Sequence, residues 1–232
     1  QNGKIHLNSF ISKISCQDNK IDRIEFNGHE VSVENIIWTA PLTTISRLLD
    51  ISDRDLHFLS LLCFNFCLNT LPRLEYQWCY YGGDEIFSRI TVPSFFSRST
   101  SPPGKSGLCV EVPCKEDAPS WRNPDSLIDP IITDLIRTKT ISSRQDIMEV
   151  HSEKITNSYP IYTVDYFNKL NQLMEEIRLF ENVILAGRCG TFWYNNMDHS
   201  IEQGIWIVNE IMNGQKFCQI KPTNREFWAE ID

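Results

Sequence analysis

The sequence predicts a fold of the α/β or α+β class, in which a mixed β-sheet is flanked by helices. Short runs of alternating apolar and polar residues fill the first part of the chain, and Asn27-Gly28 between two of them is a strong hairpin signal. Later in the chain, apolar residues recur at helical spacing, and these stretches alternate with short continuous apolar runs typical of buried strands. Strands and helices therefore share one chain of 232 residues, which is long enough to bury a sizeable core.

The first half of the chain is predicted to consist mainly of strands. A small antiparallel meander covers residues 4–38, and Pro41 can begin a short helix at 42–49 because the first turn of a helix leaves its N–H groups unpaired. Asp53 is expected to cap a second short helix. The run SLLCFNFCL at 60–68 predicts a strand buried on both faces. Further strands are predicted at 76–81, 86–91, 108–112 and 147–155.

Helical patterns dominate the second half. A helix with an apolar stripe begins near Asn123, and a second helix is capped by Asp165 and continues to about Leu179. The run NVILAG at 182–187 is a buried strand, and a last helix follows from Asp198 to Met212. The tail after Gly214 is expected to be loosely held.

Charge and cysteine usage exclude several classes of protein. The formal net charge of -8 gives no electrostatic reason to bind nucleic acid, whose affinity rests on Lys and Arg. No apolar run approaches the roughly 20 residues needed to cross a bilayer, which favours a soluble, cytoplasmic protein. The eight cysteines form no C-x-x-C pair and no metal-ligand spacing, so they are interpreted as mostly buried, reduced thiols, and no metal site is predicted.

The segment from Val183 to Met212 is the most informative part of the sequence. A buried strand leads into Gly187, a loop of aromatic and amide residues follows, and a helix starts near Asp198. A strand, a glycine loop and a helix N-terminus together form an anion-binding corner, because the first N–H groups of a helix are unpaired and its dipole is positive there. The simpler alternative is that Gly187 and Gly190 are turn residues, that Asp198 is a cap, and that the aromatic residues belong to the core.

The run GRCGTFWYNNMDHSIEQG at 187–204 resembles the C-terminal FAD signature of FAD-dependent amine-oxidase-like proteins, in particular the bacterial group related to protoporphyrinogen oxidase and UDP-galactopyranose mutase. The upstream segment YPIYTVDYFNKLNQLMEEIRLFENVILAG is similar to the same proteins, as are NIIWTAPLTTISRLL beside the flavin and GLCVEVPC with WRNPDSLI in the substrate domain. The resemblance covers nearly the whole chain, and the run at 187–204 is its specific part.

The resemblance implies a set of cofactor-binding residues. Gly187 and Arg188 match a Gly-Arg pair beside the FAD pyrophosphate, where a planar guanidinium can hold phosphate oxygens. The helix start beneath the flavin implies N–H groups that stabilise negative charge on the N1 and C2 carbonyl edge of the ring. Thr39, Ala40 and Pro41 are expected to line the flavin from another side. The loop and helix residues implied at the cofactor are Tyr194, Asn196, Met197, Asp198 and Ser200.

Substrate contacts are predicted for Arg89, Tyr159 and Tyr162, because a cation and phenols suit a sugar diphosphate or another polar acid. A surface arginine and two core tyrosines are an equally good interpretation of these three. His151 and His199 are interpreted as structural rather than as acid or base catalysts, and no catalytic residue is assigned.

The sequence also departs from the family pattern. It contains no G-x-G-x-x-G, the fingerprint that seats the pyrophosphate on the first helix of a Rossmann unit, and it begins at Gln1. We therefore expect a C-terminal fragment with a partial FAD domain that lacks the N-terminal nucleotide-binding unit and binds FAD weakly or not at all by itself. The expected division is FAD-domain strands and meander at 1–50, a substrate domain at 51–160, the C-terminal FAD-domain portion at 161–215 and a tail at 216–232.

The resemblance implies that the complete protein is a flavoenzyme acting on a small-molecule substrate, which could be a nucleotide sugar, with a role in polysaccharide or cofactor biosynthesis. The first hypothesis is an oxidoreductase that transfers a hydride from an amine, a CH–NH or a CH–CH bond to FAD. The second is a flavin-dependent UDP-sugar mutase without net redox change. The third is a folded fragment without activity. The oligomeric state does not follow from the sequence.

Overall fold

The computed structural model describes residues 3–220. This part of the chain contains both α-helices and β-strands, which confirms the predicted α+β class. In chain order the elements are β1 Ile11–Gln17, β2 Lys20–Phe26, β3 His29–Ser32, β4 Ile36–Trp38, α1 Leu42–Leu48, β5 Phe58–Leu68, β6 Trp78–Tyr80, β7 Arg89–Thr91, α2 Pro93–Phe96, β8 Ser106–Cys114, α3 Pro119–Arg122, α4 Ile128–Arg137, β9 Ile147–Pro160, α5 Tyr166–Ile177, β10 Val183–Leu185, α6 Gly187–Gly190 and α7 Met197–Met212. Within this part of the chain, no helix is long and apolar enough to cross a membrane.

The chain divides into two units. Unit 1 combines the described residues up to His57 with those from Tyr159 onward, and unit 2 is formed by Phe58–Ser158. Unit 1 therefore contains β1 to β4, α1, α5, β10, α6 and α7, and unit 2 contains a five-stranded sheet with α2, α3 and α4.

The meander in unit 1 is the antiparallel sheet β1-β2-β3, with the β2–β3 turn at Asn27 and Gly28 as predicted. Buried Asn182, just before β10, attaches this meander to the rest of the unit. Its Oδ1 accepts a hydrogen bond from the Ile21 N–H at 3.0 Å, and its Nδ2 donates to the carbonyls of Ile21 at 2.7 Å and Glu34 at 3.0 Å. One amide side chain thus satisfies three main-chain groups from two segments.

Strands β10 and β4 pair in parallel, with Val183 opposite Ile36 and Leu185 opposite Trp38. The side chains of Ile184 and Ala186 pack against Ile207 of α7. Ile220 joins this cluster, and one turn of 3-10 helix at Phe217–Gln219 precedes it. The first residues of the expected loose tail are therefore packed, and residues 221–232 lie outside the described part of the chain.

The sheet of unit 2 has the strand order β6-β7-β8-β5-β9. One face of the β5–β8 pair carries Leu62, Phe64 and Phe66 opposite Val112, Val110 and Leu108, and it packs on Ile131, Ile132 and Leu135 of α4. This face is the main apolar core of the unit.

The β6–β7, β7–β8 and β5–β8 pairs of this sheet are antiparallel. One prediction about the sheet needs correction. Strand β5 was predicted to be buried on both faces, but only its core face is covered along its length. On the other face Cys63 is buried, Asn65 is half-buried and Cys67 is exposed. A continuous apolar run cannot reveal this difference, because cysteine counts as apolar whether or not it is covered.

The helix expected after Asp53 does not form. Arg54 and Asp55 have φ values of 58° and 55°, in the left-handed region, and the carboxylate of Asp53 accepts a hydrogen bond from the Asp55 N–H at 3.1 Å. The Asp53 side chain therefore closes a turn instead of capping a helix.

The seven cysteines among residues 3–220 whose side chains are described are all free thiols. Of these, Cys63 and Cys114 are buried, whereas Cys16 and Cys67 are exposed, so the expectation that most would be buried is wrong.

Candidate functional site

Two turns meet in unit 1 where the parallel strands β4 and β10 end. The Ala186 N–H donates to the Trp38 carbonyl at 2.9 Å. A methyl group at Gly190 would lie 2.4 Å from that carbonyl oxygen, and one at Gly187, whose φ is +70°, would lie 3.7 Å from Thr39 Cβ. The predicted site residues Thr39 and Gly187 are therefore neighbours, and glycine is required at both turn positions by close approach or by backbone conformation.

Helix α7 is attached to this corner by Gln203, which the sequence analysis did not single out. Its Oε1 accepts a hydrogen bond from the Gly187 N–H at 2.5 Å, and the side chain is buried. The hydroxyl of Thr191 donates to the Gly187 carbonyl at 2.8 Å. Both polar groups of Gly187 are thus held, which sets the position of the turn relative to α7. The sequence could have signalled Gln203 only as a polar residue on the inward face of an amphipathic helix.

The N-terminus of α7 is capped by Asn196 rather than by Asp198. The Asn196 side chain accepts from the His199 N–H, and His199 Nδ1 accepts from the Asn196 N–H at 3.2 Å, which forms a reciprocal capping box. His199 thus has a structural contact at the helix start. Among the described residues, no acceptor is found for the N–H groups of Met197 and Asp198, the first two of the helix. These two amides are available to an external acceptor.

Asn195 lies directly before the cap and is 3% exposed. Its Oδ1 accepts a hydrogen bond from the Ser200 hydroxyl at 3.2 Å. Its Nδ2 is buried, and no residue in the described part of the chain accepts a hydrogen bond from it. Buried donors are seldom left unpaired, so this amide is a candidate donor to a bound group. The prediction named Tyr194 and Asn196 but overlooked Asn195 between them, since a double asparagine gives no sign of which amide is buried.

Arg188 is held in a cluster of tyrosines in the same unit. Its guanidinium donates to the Asn195 carbonyl and lies over the rings of Tyr194, 4.7 Å from the centroid, and Tyr159, 5.8 Å away. The Tyr194 N–H donates to Tyr162 Oη at 2.6 Å. Partial burial raises the pKa of the Tyr162 phenol. The structure thus brings the predicted site residues Arg188, Tyr194, Tyr159 and Tyr162 into one cluster of side chains. Their contacts with a phosphate or a substrate stay predictions.

The aromatic residues before Tyr194 belong to the core. Phe192 is fully buried in a left-handed conformation with φ 52°, and Trp193 is buried beside His199. The simpler interpretation holds for these two residues, whereas Tyr194 is partly exposed.

Arg89, the third predicted substrate residue, lies in unit 2 on β7. Its Nε donates to the Glu111 carboxylate at 2.8 Å, its second guanidinium nitrogen donates to the same oxygen, and the group also reaches Tyr80 Oη at 3.3 Å. Its predicted contact with substrate stays a prediction. His151 is on β9, with Nε2 3.1 Å from a carboxylate oxygen of Glu149. Within residues 3–220 there is no group of three or more His, Cys, Asp or Glu side chains that could hold a metal ion.

Comparison with solved structures confirms the predicted fold. The chain is similar to a reduced UDP-galactopyranose mutase, with a TM-score of 0.71 and 22% identity over 91% of this chain and 49% of that one. It is also similar to a protein from Exiguobacterium described as a protoporphyrinogen oxidase, with a TM-score of 0.64 and 16% identity over 88% of this chain and 48% of that one. An oxidoreductase from Methanosarcina mazei matches with a TM-score of 0.55 and 15% identity, over 81% of this chain and 45% of that one.

The chain thus spans about half the length of the solved structures that it matches. No family model matches the sequence, and no similar protein is found among curated ones. At these sequence identities, the similarity to the solved structures establishes the fold of the chain.

Proposed function

We propose that this chain supplies the flavin-ring side of an FAD site in an enzyme of the amine-oxidase-like group, and that a nucleotide-binding unit outside this sequence holds the ADP part. The observation that carries the proposal is the corner of unit 1 where the turn after β4, the turn after β10 and helix α7 are tied together. It rests on Gly187, whose N–H is bound by Gln203 of α7 and which lies against Thr39.

The donors present at the corner fit the edge of a flavin ring. This edge offers carbonyl oxygens and ring nitrogens as acceptors, and the protein offers the N–H groups of Met197 and Asp198 together with the buried Nδ2 of Asn195. The positive end of the α7 helix dipole also favours an electron-rich group at this position. When bound, the flavin would accept a hydride or act as a nucleophile, and the residues of this chain would orient it and stabilise negative charge on its ring.

The proposal can be tested on the chain itself by NMR. Flavin mononucleotide, which carries the ring system without the adenosine part, is titrated to millimolar concentrations into the ¹⁵N-labelled protein. The expected result is weak binding that shifts the backbone signals of Met197 and Asp198 and the side-chain amide of Asn195. Shifts confined to unit 2, or none at the highest concentration, would overturn the proposal.

A single substitution removes one of these amides without breaking the helix. Proline at position 197 is the first residue of α7, where its fixed φ is suited to a helix and its missing N–H costs no helical hydrogen bond. The preceding Asn196 has φ -89° and ψ 174°, close to the extended conformation that a residue before proline prefers. We expect Met197→Pro to weaken flavin binding while circular dichroism stays unchanged. Met197→Ala keeps the N–H and is the matched control.

For the complete enzyme we propose oxidoreductase chemistry on a small polar substrate, with Arg89, Tyr159 and Tyr162 as substrate contacts. Sugar-nucleotide isomerisation is the second candidate, supported by the similarity to a UDP-galactopyranose mutase. Anaerobic mixing of the flavin-loaded enzyme with candidate substrates separates the two. An oxidoreductase bleaches its flavin on meeting an amine or related donor. A mutase converts a UDP-sugar only after the flavin has been reduced.

A further inference from the structure

The face of the unit 2 sheet that points away from the apolar core carries two cysteines on adjacent strands. Cys63 on β5 stands opposite Glu111 on β8, and Cys109 on β8 stands opposite Asn65 on β5. Cys63 and Cys109 are therefore diagonal neighbours on the same face of an antiparallel pair, a position from which side chains reach each other. Cys63 is buried and Cys109 is half-buried, so small oxidants can reach the pair through Cys109.

The two thiols are in contact. Cys63 and Cys109 share a side-chain hydrogen bond, which lowers the pKa of Cys109 and raises that of Cys63. Two charged groups face the pair from the same sheet. The Arg89 guanidinium favours the thiolate, whereas the Glu111 carboxylate and partial burial oppose it. The more accessible sulfur is thus also the one whose thiolate is favoured.

We propose that Cys63 and Cys109 are a redox pair that forms a reversible disulfide bond when the protein meets hydrogen peroxide. The Cys109 thiolate attacks one peroxide oxygen, the O–O bond breaks, and protonation of the departing hydroxide gives water and a sulfenic acid on Cys109. The Cys63 sulfur then attacks Cys109 Sγ, the S–O bond breaks, and the proton of the Cys63 thiol leaves with the hydroxyl group as a second water. Two thiols lose two electrons and two protons, and one peroxide becomes two waters.

The geometry suits a reversible bond rather than a permanent one. Diagonal Cα atoms in an antiparallel pair are typically about 7–8 Å apart, whereas relaxed disulfides join Cα atoms roughly 4.4–6.8 Å apart. Closing the bond therefore draws β5 and β8 together locally and stores strain, which makes the disulfide easy to reduce. Glu111 stands opposite Cys63 and binds Arg89, so this movement also displaces the Arg89–Glu111 ion pair. An effect of the disulfide on substrate binding would rest on the proposed function of Arg89. Formation of the disulfide itself does not depend on that proposed function.

A third cysteine provides an internal control. Cys67, also on β5 and on the same face, stands opposite Gly107 and so occupies the other diagonal of Cys109. It is more exposed than Cys63, and accessibility alone would favour it as the partner. The hydrogen bond between Cys63 and Cys109 points to Cys63 instead.

The experiment treats the folded protein with hydrogen peroxide, blocks the remaining thiols with N-ethylmaleimide and maps the peptides by mass spectrometry without reduction. Chymotryptic cleavage after Phe64 or Phe66 separates Cys63 from Cys67. We expect a peptide that links Cys63 to Cys109 in the wild type and in Cys67→Ser, and its loss on treatment with dithiothreitol. In Cys63→Ser, dimedone should trap a sulfenic acid on Cys109.

Two results would overturn the proposal. One is a linkage between Cys109 and Cys67 in the wild type. The other is recovery of both Cys63 and Cys109 as maleimide adducts after peroxide has already oxidised the exposed Cys67. Neither result depends on a variant that has to fold, since both are read from the wild-type protein.

Discussion

Asn182 hydrogen-bonds both the N–H and the carbonyl of Ile21, although 161 residues separate them in the chain. The same side chain also donates to the Glu34 carbonyl at 3.0 Å. The meander and the strand that leads into the candidate flavin corner are therefore held together by one buried amide.

Asn182→Asp should destabilise the protein. An aspartate can still accept from the Ile21 N–H, but it cannot donate to the Ile21 and Glu34 carbonyls, and it places a negative charge among buried groups. We expect a loss of roughly 3 kcal/mol or more in the free energy of unfolding, measured with urea at neutral pH. Asn209→Asp, on the exposed side of α7, is the matched control. Equal stability of the two variants would argue against this role of Asn182.

Gly190→Ala should strain the corner, because its methyl group would lie 2.4 Å from the Trp38 carbonyl oxygen, a main-chain atom that cannot easily move. We expect a loss of about 1–3 kcal/mol in unfolding free energy. Gly204→Ala, in the interior of α7, provides the contrast. No described atom lies within 4 Å of the added methyl group there, so alanine should stabilise the helix by about 1 kcal/mol. The order of the two melting temperatures checks the prediction.

Tyr162 should make the free energy of unfolding depend on pH in the alkaline range. Burial raises its pKa, so the folded state holds the phenolic proton more tightly than the unfolded chain does. The contribution to stability is full below the pKa of an ordinary tyrosine, about 10, and is lost as the pH rises above it. Tyr162→Phe should lose about 1 kcal/mol at neutral pH, because the Tyr194 N–H loses its acceptor. In urea unfolding, the free energy of unfolding of Tyr162→Phe should fall less between neutral and strongly alkaline pH than that of the wild type.

An apolar stripe on α7 should promote self-association. The five apolar side chains Met197, Ile201, Ile205, Val208 and Met212 are spaced three or four residues apart on one face and are between 50% and 79% exposed. A contiguous exposed apolar surface favours association. Ile205→Lys should reduce the mass measured by light scattering at high concentration and leave the melting temperature unchanged.

Ile207 is the matched control for this prediction, since it is two residues away in α7 but buried. Ile207→Lys should lower the melting temperature strongly, because it buries a charge in the cluster with Ile184. If Ile205→Lys leaves association unchanged, the stripe is not the surface responsible.

Local patterns predicted most of the elements. The helical stripe of α5, the short apolar run of β10 and the Asn-Gly turn each depend on residues close together in sequence, so they could be recognised there. The turn at Asp53 was missed because an Asp can cap a helix or close a turn, and only the left-handed conformation of Arg54 and Asp55 distinguishes the two. The cap of α7 was placed two residues late because Asn196 and Asp198 are both good capping residues.

The candidate site was predicted in its sequence-adjacent part and missed elsewhere. Gly187, Asn196 and Met197 follow a recognisable order along the chain. The anchoring role of Gln203 and the orphan amide of Asn195 depend on which polar side chains become buried, and a single sequence does not show this. The diagonal of Cys63 and Cys109 likewise depends on the strand register, in which a shift of one residue would turn one of the two to the opposite face.

The sequence by itself determined the mixture of strands and helices, the glycine turn before α7 and the absence of a G-x-G-x-x-G fingerprint. These features come from short-range periodicity, backbone freedom and residue identity, all of which can be read along the chain. Only the tertiary structure decided that Trp38 abuts Gly190, that Asn182 bonds to Ile21, and that Arg89 is paired with Glu111. Such contacts join residues distant in sequence, and they form because burial requires each polar group to find a partner, wherever the fold brings one near.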